Sequence, residues 1–153
     1  MTDEHRTELL SRYRLGAAAL LETLARLPEE YMDRSTEADG WTPRMVAHHV
    51  ADAELTGGAR LRRLIAEDSP RIQSYDQDAY AQRLHYERPL SGSLALIAAI
   101  TESNAELLES LSEEEWARAG VHEERGAYTA ETWLTVYAGH CQAHAEQVAR
   151  VLS

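Results

Sequence analysis

Residues 41–67, WTPRMVAHHVADAELTGGARLRRLIAE, decide how the rest of the chain is read. Thr42 followed by Pro43 marks the beginning of a helix. The Thr hydroxyl can accept a hydrogen bond from the first turn, and proline at the first helical position lacks only an N–H that has no partner there. Val46, Val50, Ala53, Gly57, Leu61 and Leu64 then recur at three- and four-residue spacings, one face of a helix that reaches about Glu67. The turn Asp39-Gly40-Trp41 leads into it.

The same period appears on both sides. Upstream, Leu10, Tyr13, Ala17, Leu20, Leu24 and Leu27 give a helix from about Glu4 to Arg26, stopped by Pro28. Downstream, Leu94, Ile97, Thr101, Ala105 and Leu108 give a third helix from about Ser91 to Leu111. Ser112 and Glu115 read as a capping box opening one more turn that ends near Trp116. Leu134, Tyr137, Cys141, His144, Val148 and Val151 give a last helix, expected to run without a break from Thr129 or Ala130 to the end. Between the second and third helices, residues 68–90 carry Pro70, Pro89, Tyr75, Tyr80 and Tyr86, with at most a short helix from Asp76 to Arg83. A connection that long is either functional or a crossover. Ala119 to Tyr128 is expected to be a polar loop, because no period-two alternation is convincing anywhere. The reading is all-α: one domain over 1–153, a four-helix bundle with a long crossover between its second and third helices.

Composition excludes several classes of function. The chain has 153 residues and a formal net charge of −11. Its one arginine cluster, Arg60, Arg62 and Arg63, is short and sits among acids. Such a surface repels phosphate backbones and anionic lipid, so no nucleic acid and no membrane are expected as partners. The N-terminal MTDEHRTELL has no apolar core of a signal peptide, and no apolar run reaches the roughly 18–20 residues that span a bilayer. A lone cysteine excludes an internal disulfide and suits a reducing compartment, so a cytoplasmic protein is expected.

Of seven histidines, four fall into two groups, His48-His49 and His140 with His144. Neutral imidazole is the commonest protein ligand for transition metals, and two imidazoles four apart share one helix face. At 100° per residue, His144 lies roughly 30° and His140 roughly 70° from the centre of the last helix's apolar stripe. His49 lies roughly 70° from the centre of the second helix's stripe, whereas His48 lies nearly opposite and should face out. The expected ligands of one divalent ion are therefore His49, His140 and His144. The competing reading is that each is a packed or solvated flank residue, since an H-x3-H spacing also arises by chance. His5, His85 and His122 fall at surface or loop positions and are expected not to bind. Asp52 shares the outward phase of His48 and is read as surface; Gln147, Tyr137 and Trp41 are better placed to line a pocket. Cys141 falls on the inward stripe as a small buried hydrophobe, and Leu55 falls off the stripe of the second helix.

These residues resemble a known pattern. Trp41 through Glu54, with Trp41 eight residues before His49, looks like the second-helix opening of the DinB-like metalloprotein superfamily. Gly126 to Thr129, followed by Gly139-His140 through His144 and Gln147, looks like that family's final helix with its H-x3-H pair. Tyr75 to Tyr80 sits where the family carries its crossover. The resemblance implies a bundle, often a homodimer, with a three-histidine site open at one end that holds zinc, nickel, iron or manganese. It further implies a small-molecule substrate and a metal-dependent enzyme. Relatives include transferases that activate a low-molecular-weight thiol as co-substrate, and water could be activated at such a site for hydrolysis. The alternatives are a non-catalytic metal-stabilised bundle in stress response or a dimeric binding module. The residues Cys141-Gln142-Ala143 depart from the family, which often places an acid or a further histidine between the ligand pair.

Overall fold

The computed structural model describes residues 1–35 and 40–152. Asp39 of the turn before the second helix lies outside them. Helix α1 spans Asp3–Arg26 and is capped by the Thr2 hydroxyl, which accepts from His5 N. Helix α2 spans Pro43–Ala66, with Pro43 in its first turn and the Thr42 hydroxyl accepting from Met45 N at 3.3 Å. The crossover holds a two-residue strand β1, Arg71–Ile72, and helix α3, Gln77–Arg83, capped by the Asp76 carboxylate. Helix α4 spans Ser91–Glu109, and the capping box at Ser112 and Glu115 opens the single turn α5, Glu113–Trp116.

The principal helix pairs are α1 with α4 and with the last helical segment, and α2 with the same two neighbours. Helices α1 and α2 therefore face each other across the bundle diagonal, and the long crossover carries the chain from α2 to α4. Every stripe residue expected to point inward on α1 and α2 is buried. The core has two apolar clusters. One is built on Tyr13, Leu61, Leu108, Trp133 and Leu134, the other on Leu20, Val46, Val50, Ile97 and Val148.

Two expectations need correction. Residues 119–128 are not a polar loop: β2, Ala119–His122, and β3, Gly126–Thr129, form an antiparallel hairpin, and β1 pairs with β2 in parallel. Four residues are too few for alternation to stand out in the sequence, and a third of the paired positions involve a segment about fifty residues away. The last helix is also not continuous. It divides into α6, Ala130–Tyr137, and α7, His140–Ala149, because Gly139 leaves helical geometry with φ −107° and ψ −5°. The break places His140 in the first turn of α7.

Candidate metal centre

Helices α2, α6 and α7 meet where the two apolar clusters join. Just before α2, Trp41 lies edge-on to the His49 ring of that helix, with centroids 5.4 Å apart, and braces it. On α7, His140 and His144 stand one turn apart, with ring centroids 4.7 Å from each other. The His49 ring lies 5.7 Å from His140 and 5.0 Å from His144. One nitrogen of each of the three residues lies within 4.8 Å of one of each of the others. The structure thus brings together the three histidines that phase singled out.

Two of the rings are held on their other nitrogen. His144 Nδ1 donates to the Gln147 amide oxygen at 2.8 Å, and His140 Nδ1 faces Glu54 Oε1 at 3.4 Å. Such contacts fix ring orientation and turn Nε2 toward the shared point. His49 Nδ1 is buried and has no hydrogen-bond partner among the described residues, so no protein group competes for that ring. Burial, reinforced by repulsion from His144 and His140, pushes the His49 pKa down to about 3. Burial and then the neighbouring His140 push His144 down to about 4. Both rings are consequently neutral at pH 7, which is the form that binds metal. Three convergent imidazoles, two of them oriented from behind, fit a divalent transition ion.

The centre opens into a cleft of about 200 Å³ walled by Trp41, Gln77 and Gln147. It continues into a second space of about 410 Å³ bounded by Ala53, Tyr75, Val136 and Tyr137. Trp41, Tyr137 and Gln147 line it as expected from their positions; Gln77, at the start of α3, was not foreseen. The crossover therefore supplies one wall of the cleft.

Glu54 was also missed. It is fully buried, accepts from the Tyr13 hydroxyl at 2.5 Å, and lies 3.5 Å from Cys141 Sγ. Asn104 Nδ2 donates to the Tyr13 oxygen at 3.2 Å, and Arg62 donates to Asn104 Oδ1 at 2.6 Å. This chain of contacts runs from the surface to the back of His140. The signal was available, since Glu54 stands four residues after Val50 and three before Gly57, on the core stripe of α2. Cys141 is buried as expected, and burial pushes its thiol pKa up.

Three other expectations are corrected. His48 does point away from the centre, but it does not face solvent. It is fully buried, 2.7 Å from Ser93 Oγ and 3.0 Å from the Arg88 carbonyl, with the Tyr86 ring 5.4 Å away. The end of the crossover covers that face of α2. Asp52 is half-buried there and accepts from the Tyr86 hydroxyl at 2.7 Å. His122 is buried on β2, where its Nδ1 accepts from Glu124 N at 3.2 Å. His5 and His85 are exposed, and Leu55 is about half exposed, as their positions implied.

A diagonal helical bundle with three convergent imidazoles at the foot of an open cleft defines a class, and comparison with known proteins gives it a family. The sequence model of the DinB superfamily matches residues 12–148, and the chain belongs to that superfamily. It is 34% identical over 125 residues to a proposed metal-dependent hydrolase of Oceanobacillus iheyensis, covering 82% of this chain and 73% of the relative. It is also 34% identical over 131 residues to a similarly named protein of Bacillus licheniformis, covering 82% and 72%. In fold it matches YfiT from Bacillus subtilis, a proposed metal-dependent hydrolase with an unusual four-helix bundle topology. That match has a TM-score of 0.90 over 99% of this chain and 87% of the other, at 24% identity.

Proposed function

We propose that this chain is a metal-dependent enzyme in which His49, His140 and His144 hold one divalent transition ion and the adjoining cleft takes a small-molecule substrate. The observation that carries this reading is the convergence of three imidazoles within 4.8 Å at the base of that cleft. When bound, such an ion acts as a Lewis acid and brings a nucleophile, water or a low-molecular-weight thiol, to its reactive form near neutral pH. With three protein ligands a coordination position is left over, which is the arrangement of catalytic sites. Zinc, nickel and iron suit imidazole donors, whereas manganese prefers oxygen ligands and is expected to be held more weakly.

The protein's own groups have distinct tasks. Gln147 and Glu54 orient the two α7 rings, Trp41 braces His49, and Tyr75 and Tyr137 bound the space in which a substrate would lie. Water as the nucleophile agrees with the hydrolase names of the relatives. A thiol co-substrate is favoured by a different observation. Apart from the three imidazoles, the cleft walls carry only Trp, Gln, Tyr, Ala and Val among the described residues. Hydrolysis gains from a general base within reach of the water, whereas a thiol near its own pKa needs none.

The test is metal content by mass spectrometry on tag-free protein and on His144→Ala, followed by turnover assays. About one ion per chain is expected in the parent and none in the variant. Turnover should be lost with the ion, whether of 4-nitrophenyl acetate alone or of monochlorobimane with added cysteine. Dependence on the thiol then separates the two nucleophiles. Parent protein that cannot be loaded with zinc, nickel, manganese or iron would sink the reading. Metal retained without turnover, with a large fall in Tm on chelation, would leave the non-catalytic bundle instead.

A further inference from the structure

The cleft does not end at Tyr137. Its outer space shares Tyr75, Val136 and Tyr137 with a further pocket that reaches Arg60 on α2, Ser74 in the crossover and Arg125 in the β2–β3 turn. One groove therefore runs from the three histidines to two guanidinium groups. Its floor is a single strip of α2. Arg60 follows His49 by eleven residues, which returns it to within about 20° of the same helix face and about 16 Å along the axis. Ala53 lies between them.

The far end has the chemistry of an anion site. Neither Arg60 nor Arg125 has a carboxylate partner among the described residues, although the chain carries 26 acids against 15 bases. Arg60 is half-buried and braced, donating to the Gln73 carbonyl at 2.6 Å with its guanidinium 5.7 Å from the Tyr75 ring centre. The Ser74 hydroxyl on the same wall is buried without a hydrogen-bond partner. The Arg60 charge opposes the rise that burial gives the Tyr75 and Tyr137 phenols, and with Arg125 it helps burial hold the His122 pKa down. Glu124 also lies on this wall, next to Arg125. A dianion or a well-placed carboxylate could displace its influence by pairing with both arginines.

We infer that the substrate is an elongated molecule with an acid group, carboxylate or phosphate, at the end remote from its reacting atom. The acid docks between Arg60 and Arg125 with the Ser74 hydroxyl as an added donor. The middle of the molecule lies along Tyr75, Val136 and Tyr137, and the reacting end reaches the three histidines. This rests on the reading of those histidines as the reaction centre.

The experiment is calorimetric titration of the purified full chain, with metal content measured on the same sample. The probes are 4-phenylbutyrate, 3-phenylpropyl phosphate and the uncharged 4-phenylbutyramide. At least one acid should bind about tenfold or more tightly than the amide, because charge-assisted pairs with guanidinium are the strong ones. The tighter of the two acids identifies the acid group. Arg60→Gln and Arg125→Gln should each bring the acid-to-amide ratio close to one. Arg125 is exposed in a turn and makes no hydrogen bond or ion pair among the described residues, so its variant keeps the parent Tm. The preference should persist in His144→Ala. Equal binding of acid and amide, binding of none of the probes, or a preference that survives both arginine variants would overturn the inference. So would a preference lost in His144→Ala alone, since the acid would then be binding at the histidines. A chain that takes up no metal yet keeps an Arg60-dependent preference would refute the proposed function and leave the anion site standing.

Discussion

A carboxylate in the middle of a helical core survives only if its charge is paired or its oxygens are hydrogen-bonded. Glu54 meets that condition on both oxygens. The Tyr13 hydroxyl donates to one, and His140 Nδ1 and Cys141 Sγ approach the other at 3.4 and 3.5 Å. The residue is thus tied to the bundle on one side and to a proposed metal ligand on the other. Its amide analogue retains shape and can still accept from Tyr13, but it loses the charge that makes His140 a better donor. Glu54→Gln is expected to weaken metal binding about 10- to 100-fold, the usual effect of removing a group behind a ligand. Competition against a chelator of known affinity measures it. Affinity equal to the parent's would make Glu54 a core polar group with no part in metal binding. Cys141 stands at the same layer, yet burial raises its thiol pKa and keeps it protonated, which suits packing rather than chemistry.

Between elements, the placement of α6 on α2 depends on one missing side chain. A Cβ at Gly57 would sit 2.4 Å from the Tyr137 ring, and the Gly57 carbonyl accepts from Trp133 Nε1 at 2.8 Å. The aromatic pair Trp133 and Tyr137, stacked at 4.4 Å, therefore lies directly on the α2 backbone. Overpacking at such a contact costs about 1–3 kcal/mol, so Gly57→Ala should lower Tm by several degrees. Thermal unfolding followed by circular dichroism tests this, and an unchanged Tm would show that α6 can shift at no cost. How the elements were legible follows from their lengths. The long helices announce themselves because three-four spacing repeats over some twenty residues with Thr42, Pro43 and Pro28 marking ends. Strand β1 has two residues, and its partner lies about fifty residues downstream, so neither period nor neighbourhood reveals the sheet. The three histidines could be read because each sits on a helix whose phase is defined by its own apolar stripe. His48 was misplaced for the complementary reason: phase gives direction relative to a stripe but not what covers the opposite face. The arginine end of the groove was invisible, since Arg60, Ser74 and Arg125 belong to separate elements with no spacing in common.

For the molecule as a whole, the proposed ion would tie together parts of the chain that are far apart in sequence. His49 belongs to the second bundle helix, whereas His140 and His144 belong to the last, about ninety residues later. In the unfolded chain these rings are dispersed, so an ion that needs all three binds only the folded form. Its effect on stability then follows from mass action and reaches about 2.7 kcal/mol when the free metal is a hundredfold above its Kd. For a chain of this size each kcal/mol is worth about 2–4 °C. Loading with zinc should therefore raise Tm by about 5–10 °C, and a chelator should reverse the rise. The acidic surface supplies the necessary control. A protein with a net charge of −11 attracts divalent cations to exposed carboxylates without any built site. Binding of that kind is dispersed over the surface and indifferent to one buried imidazole. His144→Ala should consequently show little or no rise at the same zinc concentration, with its metal-free Tm as the reference. A rise as large in the variant as in the parent would assign the stabilisation to surface carboxylates. A rise confined to the parent would mean that the ion links α2 to α7 through His49, His140 and His144.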